Sequence, residues 1–235
     1  MKLIVTGATG VAGLNIYRAA VSDPSITSIT LIMRREMPSW AVLPPNASDK
    51  TTTIIQKDFN TYTPELASQL AKHDAVIWAL GTASQGVNEA DYTRITYEYP
   101  MALAKALKEG GVTERRMEGN PFRFVYISGE SADPTEKSWQ MWARVKGRAE
   151  KHLAEFCNAN PGMNAHVIRP GYFFSNKNFP QDAPNQRSST LIFLDKMLGP
   201  AFSALTPGLY TPQDEFQKEQ KAERVGEGGV DVLYI

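Results

Sequence analysis

The sequence predicts a doubly wound α/β fold, a mainly parallel sheet with helices on both faces. Three observations predict it: short apolar runs bounded by polar or turn residues, helix-length amphipathic stretches between them, and a glycine-rich turn directly after the first run.

The first run, residues 3–5, leads into Thr6-Gly7-Ala8-Thr9-Gly10-Val11-Ala12-Gly13 and then a helical pattern over 12–21. In such a turn Gly7 allows a sharp change of direction, Gly10 lets the backbone approach a phosphate, and Gly13 permits close helix-to-strand packing. Thr9, Gly10 and Val11 then lie where a helix N-terminus offers free N–H groups to an anion. The expectation is a dinucleotide-binding Rossmann fold.

Further apolar runs at 29–33, 53–55, 75–79, 122–127 and 165–168 read as buried parallel strands. Between them 64–72, 91–109 and 137–158 carry helical patterns. In the second of these Ile95, Leu103 and Leu107 fall near one face, and Thr135 or Ser138 is a candidate cap for the third. In this topology a ligand lies over the carboxyl ends of the strands.

Two stretches interrupt the alternation. Residues 37–49 contain Pro38, Pro44 and Pro45 and read as an irregular loop; 175–189 is polar and proline-containing, where a substrate lid would lie. Residues 191–202 have amphipathic helical character. The organisation is therefore one domain over 1–211, with a substrate-side region from about 170. A tail at 212–235, rich in Gln, Lys, Glu and Gly as far as 229, is expected to be poorly ordered.

Composition limits the function classes. The chain has 235 residues, long enough for one sizeable core, and its 25 basic and 25 acidic residues cancel, which disfavours nucleic acid as a partner. Apolar runs fall short of a transmembrane segment, and the fold begins at the N-terminus without a signal peptide, so the expected location is cytoplasmic. Cys157 is the single cysteine, and His73, His152 and His166 are scattered, so no metal site is expected.

The second strand ends Met33-Arg34-Arg35. Two guanidinium groups suit a 2′-phosphate and leave a plain ribose without an acceptor, so NADP(H) is favoured over NAD(H). Asp58, after the third strand, and Leu80 with Gly81, after the fourth, are the next positions for cofactor contact.

The glycine turn, Arg34-Arg35, Ala79-Leu80-Gly81-Thr82, Ser128–Asp133, Lys146-Gly147 and Arg169-Pro170-Gly171 together resemble the short-chain dehydrogenases/reductases of the extended or atypical branch. Within that superfamily the closer resemblance is to the NADPH-binding group of the Tat-interacting protein of 30 kDa and its fungal relatives, over about residues 1–175. The group's fungal members leave a mitochondrial association open. The resemblance implies a serine and a Tyr-x-x-x-Lys pair: the tyrosine passes the proton, the lysine lowers its pKa and holds the nicotinamide ribose, and the serine orients the substrate carbonyl. Ser128, with Ser131 as second candidate, matches the serine position, and Lys146 matches the lysine. Trp142 stands four residues before Lys146, where the tyrosine belongs. An indole N–H cannot relay a proton. Trp142 is otherwise the start of an apolar stripe with Val145, Ala149, Leu153 and Phe156, and Tyr97, Tyr99, Tyr126 and Tyr172 are alternative donors.

Two functions follow from these residues: an NADP(H)-dependent oxidoreductase for a small carbonyl or alcohol, with Ser128 and Lys146 at its centre, or a non-catalytic NADP(H)-binding regulatory protein. Superfamily members commonly dimerise, so a homodimer is open. The substrate or protein partner is not legible.

Overall fold

A computed structural model describes residues 1–116, 120–205, 222–225 and 230–234. The chain runs β1 (Lys2–Thr6), α1 (Val11–Ser22), β2 (Ser28–Met33), α2 (Ala47–Lys50), β3 (Thr51–Ile55), α3 (Pro64–Leu70), β4 (Ala75–Trp78), then α4 (Glu89–Thr93). A π-helical turn (Arg94–Glu98) joins α4 to α5 (Tyr99–Glu109), followed by β5 (Phe122–Ile127), α6 (Met141–Asn158), β6 (Met163–Arg169), α7 (Ala183–Gln186), α8 (Ser189–Leu205), β7 (Ala222–Val225) and β8 (Val230–Tyr234).

The sheet order is β3-β2-β1-β4-β5-β6-β8-β7. All pairings from β3 to β8 are parallel, and β7 closes the edge antiparallel to β8. The expected doubly wound sheet is present, with its order reversing between β1 and β4. At that reversal successive helices leave toward opposite faces, and their diverging connections open a crevice at the strand ends.

Side-chain alternation divides the core between the faces. On one face Leu3, Val5, Ile29, Leu31 and Met33 pack with Leu14, Tyr17 and Val21 of α1. On the other Ile4, Ile32, Val76, Trp78 and Phe124 pack with Leu103, Leu107, Leu153 and Cys157 of α5 and α6. His73 is a buried bridge between polar groups: its Nε2 lies 2.8 Å from Thr30 Oγ1 and its Nδ1 3.0 Å from the Leu70 carbonyl. Burial holds its pKa below the usual histidine value.

Three local features differ from expectation. The single helix expected over 91–109 contains the π-helical turn. Pro100 supplies no N–H, so the Thr96 carbonyl lacks its ordinary helical donor; the buried Tyr126 hydroxyl donates to it instead, at 3.0 Å. The helix expected from 137 begins at Met141, because the Asp133 carboxylate accepts bonds from the Thr135 and Ser138 amides at 2.9 and 2.6 Å and holds this stretch in a turn. Gln140 is therefore the N-cap, not Thr135 or Ser138, and it has no side-chain cap bond. Within the expected tail, 222–225 form the edge strand β7 and 230–234 the strand β8 beside it, while 206–221, 226–229 and 235 lie outside the described residues.

Candidate functional site

The glycine turn and the end of β4 meet at the reversal of strand order. Gly7 has φ +67°, and a Cβ there would stand 2.4 Å from the Ala79 carbonyl oxygen, so only glycine fits both the conformation and the space. Leu80 N donates to Thr6 Oγ1 at 3.3 Å, fastening the two loops side by side. A Cβ on Gly13 would lie 2.1 Å from the Gly7 carbonyl, so this glycine lets α1 start directly against the turn.

Gly10 and Gly81 differ in kind. A Cβ at Gly10 would meet protein no closer than 3.4 Å, and one at Gly81 would meet nothing within 4 Å. Both have φ outside the left-handed region. The protein itself therefore does not require glycine at these two positions; they line open space in front of the turn. Gly10 is also the N-cap of α1 and offers no side-chain cap, which leaves the first N–H groups of Val11 and its successors turned toward that space. Free N–H groups facing open space suit an anion such as a diphosphate in charge.

Arg34 and Arg35 follow β2, exposed and without a hydrogen bond or ion pair among the described residues. Thr9 is exposed in the turn itself. Asp58 is committed to its own loop, where its carboxylate accepts from Asn60 N at 2.9 Å and Thr61 Oγ1 at 3.0 Å, and its carbonyl accepts from Gln56 Nε2 at 2.5 Å.

Ser128 and Lys146 come together at the end of β5. Ser128 N donates to the Ile168 carbonyl at 2.8 Å and Glu130 N to the Pro170 carbonyl at 3.0 Å, so parallel pairing continues past the ends of β5 and β6. Lys146 Nζ donates to the Ser128 carbonyl oxygen at 3.0 Å. Ser128 Oγ is buried with no partner among the described residues. Burial pulls the Lys146 pKa down to about 8, although the carboxylate of Glu150 favours the charged form. That carboxylate is shared with Arg169, at 2.5 and 3.0 Å. Gly147 makes the placement of Lys146 possible, since a Cβ there would collide with the Asp133 carbonyl carbon at 2.0 Å.

Trp142 is half-buried and lies outside the apolar cluster that contains Ala149 and Leu153. It flanks Gly129 together with Lys146: a Cβ on Gly129 would be 3.8 Å from the indole and 3.7 Å from Lys146 Cδ. The alternative tyrosines have other partners. Tyr126 is committed to Thr96, and burial pushes its pKa well up. Tyr97 bonds His152 Nδ1 at 2.8 Å, Tyr99 packs on Phe59, and Tyr172 donates to Asp195 at 2.7 Å. Ser131, the second serine candidate, is exposed.

Sequence reasoning missed the buried pair formed by Arg18 and Asp182, 164 positions apart. It ties the stretch expected to be a lid to α1. A lone arginine in a helix with no other charged residue was its only sequence signal.

The comparisons agree with the architecture. No family model matches the sequence. Among solved structures, UDP-glucuronic acid 4-epimerase from Bacillus cereus, in complex with NAD, superimposes with a TM-score of 0.56 at 18% identity, covering 77% of this chain and 59% of that one. A short-chain dehydrogenase/reductase from Saccharomyces cerevisiae gives 0.53 at 17% identity, covering 85% and 83%. The chain thus shares the Rossmann fold of these structures.

Among curated proteins it is similar to "Protein FMP52, mitochondrial" of Candida albicans, 33% identical over 141 residues, which is 57% of this chain and 59% of that protein. It is also 28% identical over 220 residues to "Protein fmp52, mitochondrial" of Emericella nidulans, 92% and 84% of the two chains. A third relative, "Leucinostatins biosynthesis cluster protein T" of Purpureocillium lilacinum, is 29% identical over 153 residues, 65% and 51%. The chain therefore spans little more than half the length of the Candida and Purpureocillium relatives. The cytoplasmic expectation is corrected here, since the relatives from Candida albicans, Emericella nidulans, Saccharomyces cerevisiae and Aspergillus fumigatus are all named mitochondrial. Among the described residues no helix is long and apolar enough to cross a membrane.

Proposed function

We propose that the protein binds NADP(H) across the crevice between β1 and β4 and acts as an oxidoreductase on a small carbonyl or alcohol held at Ser128. The observation that carries this reading is the pairing of a buried, unpartnered Ser128 hydroxyl with the adjacent Lys146 ammonium at the carboxyl end of β5. A buried hydroxyl without a partner is costly, and a ligand oxygen would satisfy it.

In this reading Gly7, Thr9, Gly10, Val11 and Gly13 hold the pyrophosphate against the N-terminus of α1. Arg34 and Arg35 pair with the 2′-phosphate, and Leu80, Gly81 and the Asp58 loop border the adenosine. Lys146 has N–H groups left for the nicotinamide ribose, and the Ser128 hydroxyl orients the substrate oxygen. When bound, the nicotinamide supplies or accepts hydride. A mitochondrial association accompanies this reading through the names of the relatives.

A second reading, a non-catalytic NADP(H)-binding regulatory protein, is favoured by Trp142, which brings no acid to the site. Calorimetric titration with NADPH and NADH tests the binding site, and NADPH oxidation over a panel of aldehydes and ketones tests catalysis. Tight binding with no turnover across the panel selects the regulatory reading; absence of binding overturns both.

A further inference from the structure

After β6 the chain runs back across α1, and four side-chain contacts hold it there. Asn176 Nδ2 donates to Asn15 Oδ1 at 2.6 Å, and Gln186 Nε2 donates to the Thr9 carbonyl at 3.1 Å. Between them the Arg18 guanidinium donates to both oxygens of Asp182, at 2.5 and 3.1 Å. The Phe179 ring lies against its face, with its centroid 3.6 Å away.

This ion pair is almost completely buried, with 6% and 3% of the two side chains exposed. Its geometry is bidentate, the arrangement in which a guanidinium and a carboxylate satisfy each other best. Arg18 Nε also donates to the Val42 carbonyl at 2.9 Å, in the loop that follows Arg34 and Arg35. One guanidinium therefore joins the first helix, the loop that follows Arg34 and Arg35, and the segment that follows β6. Removing either partner would strand a buried charge, so the tie is either made or the segment leaves.

The segment's end contact is with the glycine turn itself. Thr9 precedes Gly10, where the free N–H groups of α1 begin, so the segment reaches the rim of the phosphate cradle. Apart from Phe179, its anchors are polar. A segment with little apolar burial opens at low free energy, and its seating responds to small changes in its contacts.

We propose that Arg18 and Asp182 form a latch that seats residues 175–187 as the outer wall of the dinucleotide site, so that holding this wall and holding the dinucleotide are one coupled equilibrium. The inference rests on the nucleotide-binding reading above and adds Arg18, Asp182 and Gln186 to it as positioning residues. Coupling of this kind is reciprocal: nucleotide stabilises the seated wall, and the seated wall raises nucleotide affinity by the same factor.

Lys177, exposed on the wall, makes this measurable as a tryptic site. In the unaltered protein saturating NADPH slows cleavage after Lys177 by about 5-fold or more. Asp182→Asn accelerates the cleavage and weakens NADPH binding, each by about 10-fold, and Gln186→Ala weakens binding by about 3-fold without lowering the melting temperature. The Gln186→Ala variant and NADPH protection of the unaltered protein keep the test decisive even where Asp182→Asn does not fold. NADPH binding that leaves cleavage after Lys177 unchanged overturns the latch alone, as does freer cleavage in Asp182→Asn at unaltered affinity. Failure of the unaltered protein to bind either NADPH or NADH overturns the nucleotide reading and the coupling with it.

Discussion

Lys146 reaches from α6 to the Ser128 carbonyl at the end of β5, and the 3.0 Å hydrogen bond between them carries a cation into a largely desolvated place. Burial lowers its pKa from 10.5 to about 8. Below pH 8 the ammonium is charged in both folded and unfolded chains, and the burial penalty is fully present. Between pH 8 and 10.5 the unfolded chain binds more protons, so stability rises with pH until the unfolded lysine is also neutral. Lys146→Met should therefore stabilise the protein by about 2 kcal/mol at pH 7, and the advantage should fade through that window. Denaturant melts of both proteins from pH 7 to 10.5 check the sign. Weaker NADPH binding in the same variant would separate a functional lysine from a structural one.

The glycines of the first turn should separate by role. Alanine at Gly7 must adopt φ +67° against the Ala79 carbonyl, and alanine at Gly13 must displace the Gly7 carbonyl. Each should cost about 2 kcal/mol or more, seen as a fall in denaturation midpoint. Gly10→Ala and Gly81→Ala meet no such obstacle and should melt near the parent while binding NADPH at least about 10-fold more weakly, because the added methyl occupies ligand space. Parent-like affinity in both would remove the phosphate cradle from this turn.

These contrasts also mark what was legible. Gly7 and Gly13 could be read because their roles are local: a strand must turn into a helix within a few residues. Although β7 and β8 fall in the polar stretch expected to be a poorly ordered tail, the strands β1 to β6 were equally plain, since each contains a short apolar run. The π-helical turn was not, because it depends on Tyr126, thirty positions from Thr96, supplying the donor that Pro100 withholds. The Arg18–Asp182 pair was hidden for the same reason. Periodicity marks position 18 only as a polar interruption on α1, and nothing nearby names its partner. At the candidate site Ser128 and Lys146 were located by resemblance, whereas the unpartnered state of Ser128 Oγ emerges only from packing.

Arg34 and Arg35 have no partners among the described residues, so replacing them should leave the fold unchanged. The paired Arg34→Ala, Arg35→Ala variant should lose about 2 kcal/mol or more of NADPH binding, roughly 30-fold, and much less of NADH binding. Calorimetry with both cofactors at two salt concentrations measures the difference, which should shrink at high salt. Equal losses for the two cofactors would show that these arginines do not read the 2′-phosphate.

The buried Glu150–Arg169 pair supports the same end of the sheet. Glu150→Gln leaves the Arg169 guanidinium short of its counter-charge and should destabilise the protein by about 3 kcal/mol. It also removes the group that favours charged Lys146, so the lysine pKa should fall further below 8. Denaturation reports the first effect and titration of a reporter on Lys146 the second. An unchanged lysine pKa would place the control of Lys146 elsewhere.

Trp142 offers the sharpest separation of binding from catalysis. It lies beside Gly129 with Lys146 one helical turn away, and its indole supplies no proton at any ordinary pH. Tyr126 and Tyr97 are committed to Thr96 and His152, so neither readily replaces a missing acid. Trp142→Tyr puts a phenol on the same helix face as the Lys146 ammonium, whose charge lowers the phenol pKa toward the working range. Where the unaltered protein is silent, the variant should gain carbonyl-dependent NADPH oxidation. Where it is already active, the rate should rise by about 100-fold or more, the usual yield of a positioned acid. The pH profile should acquire a new limb from the introduced phenol. A fast parent enzyme with an unchanged rate and profile in Trp142→Tyr would mean that the proton comes from another group, and the regulatory reading would fall with it.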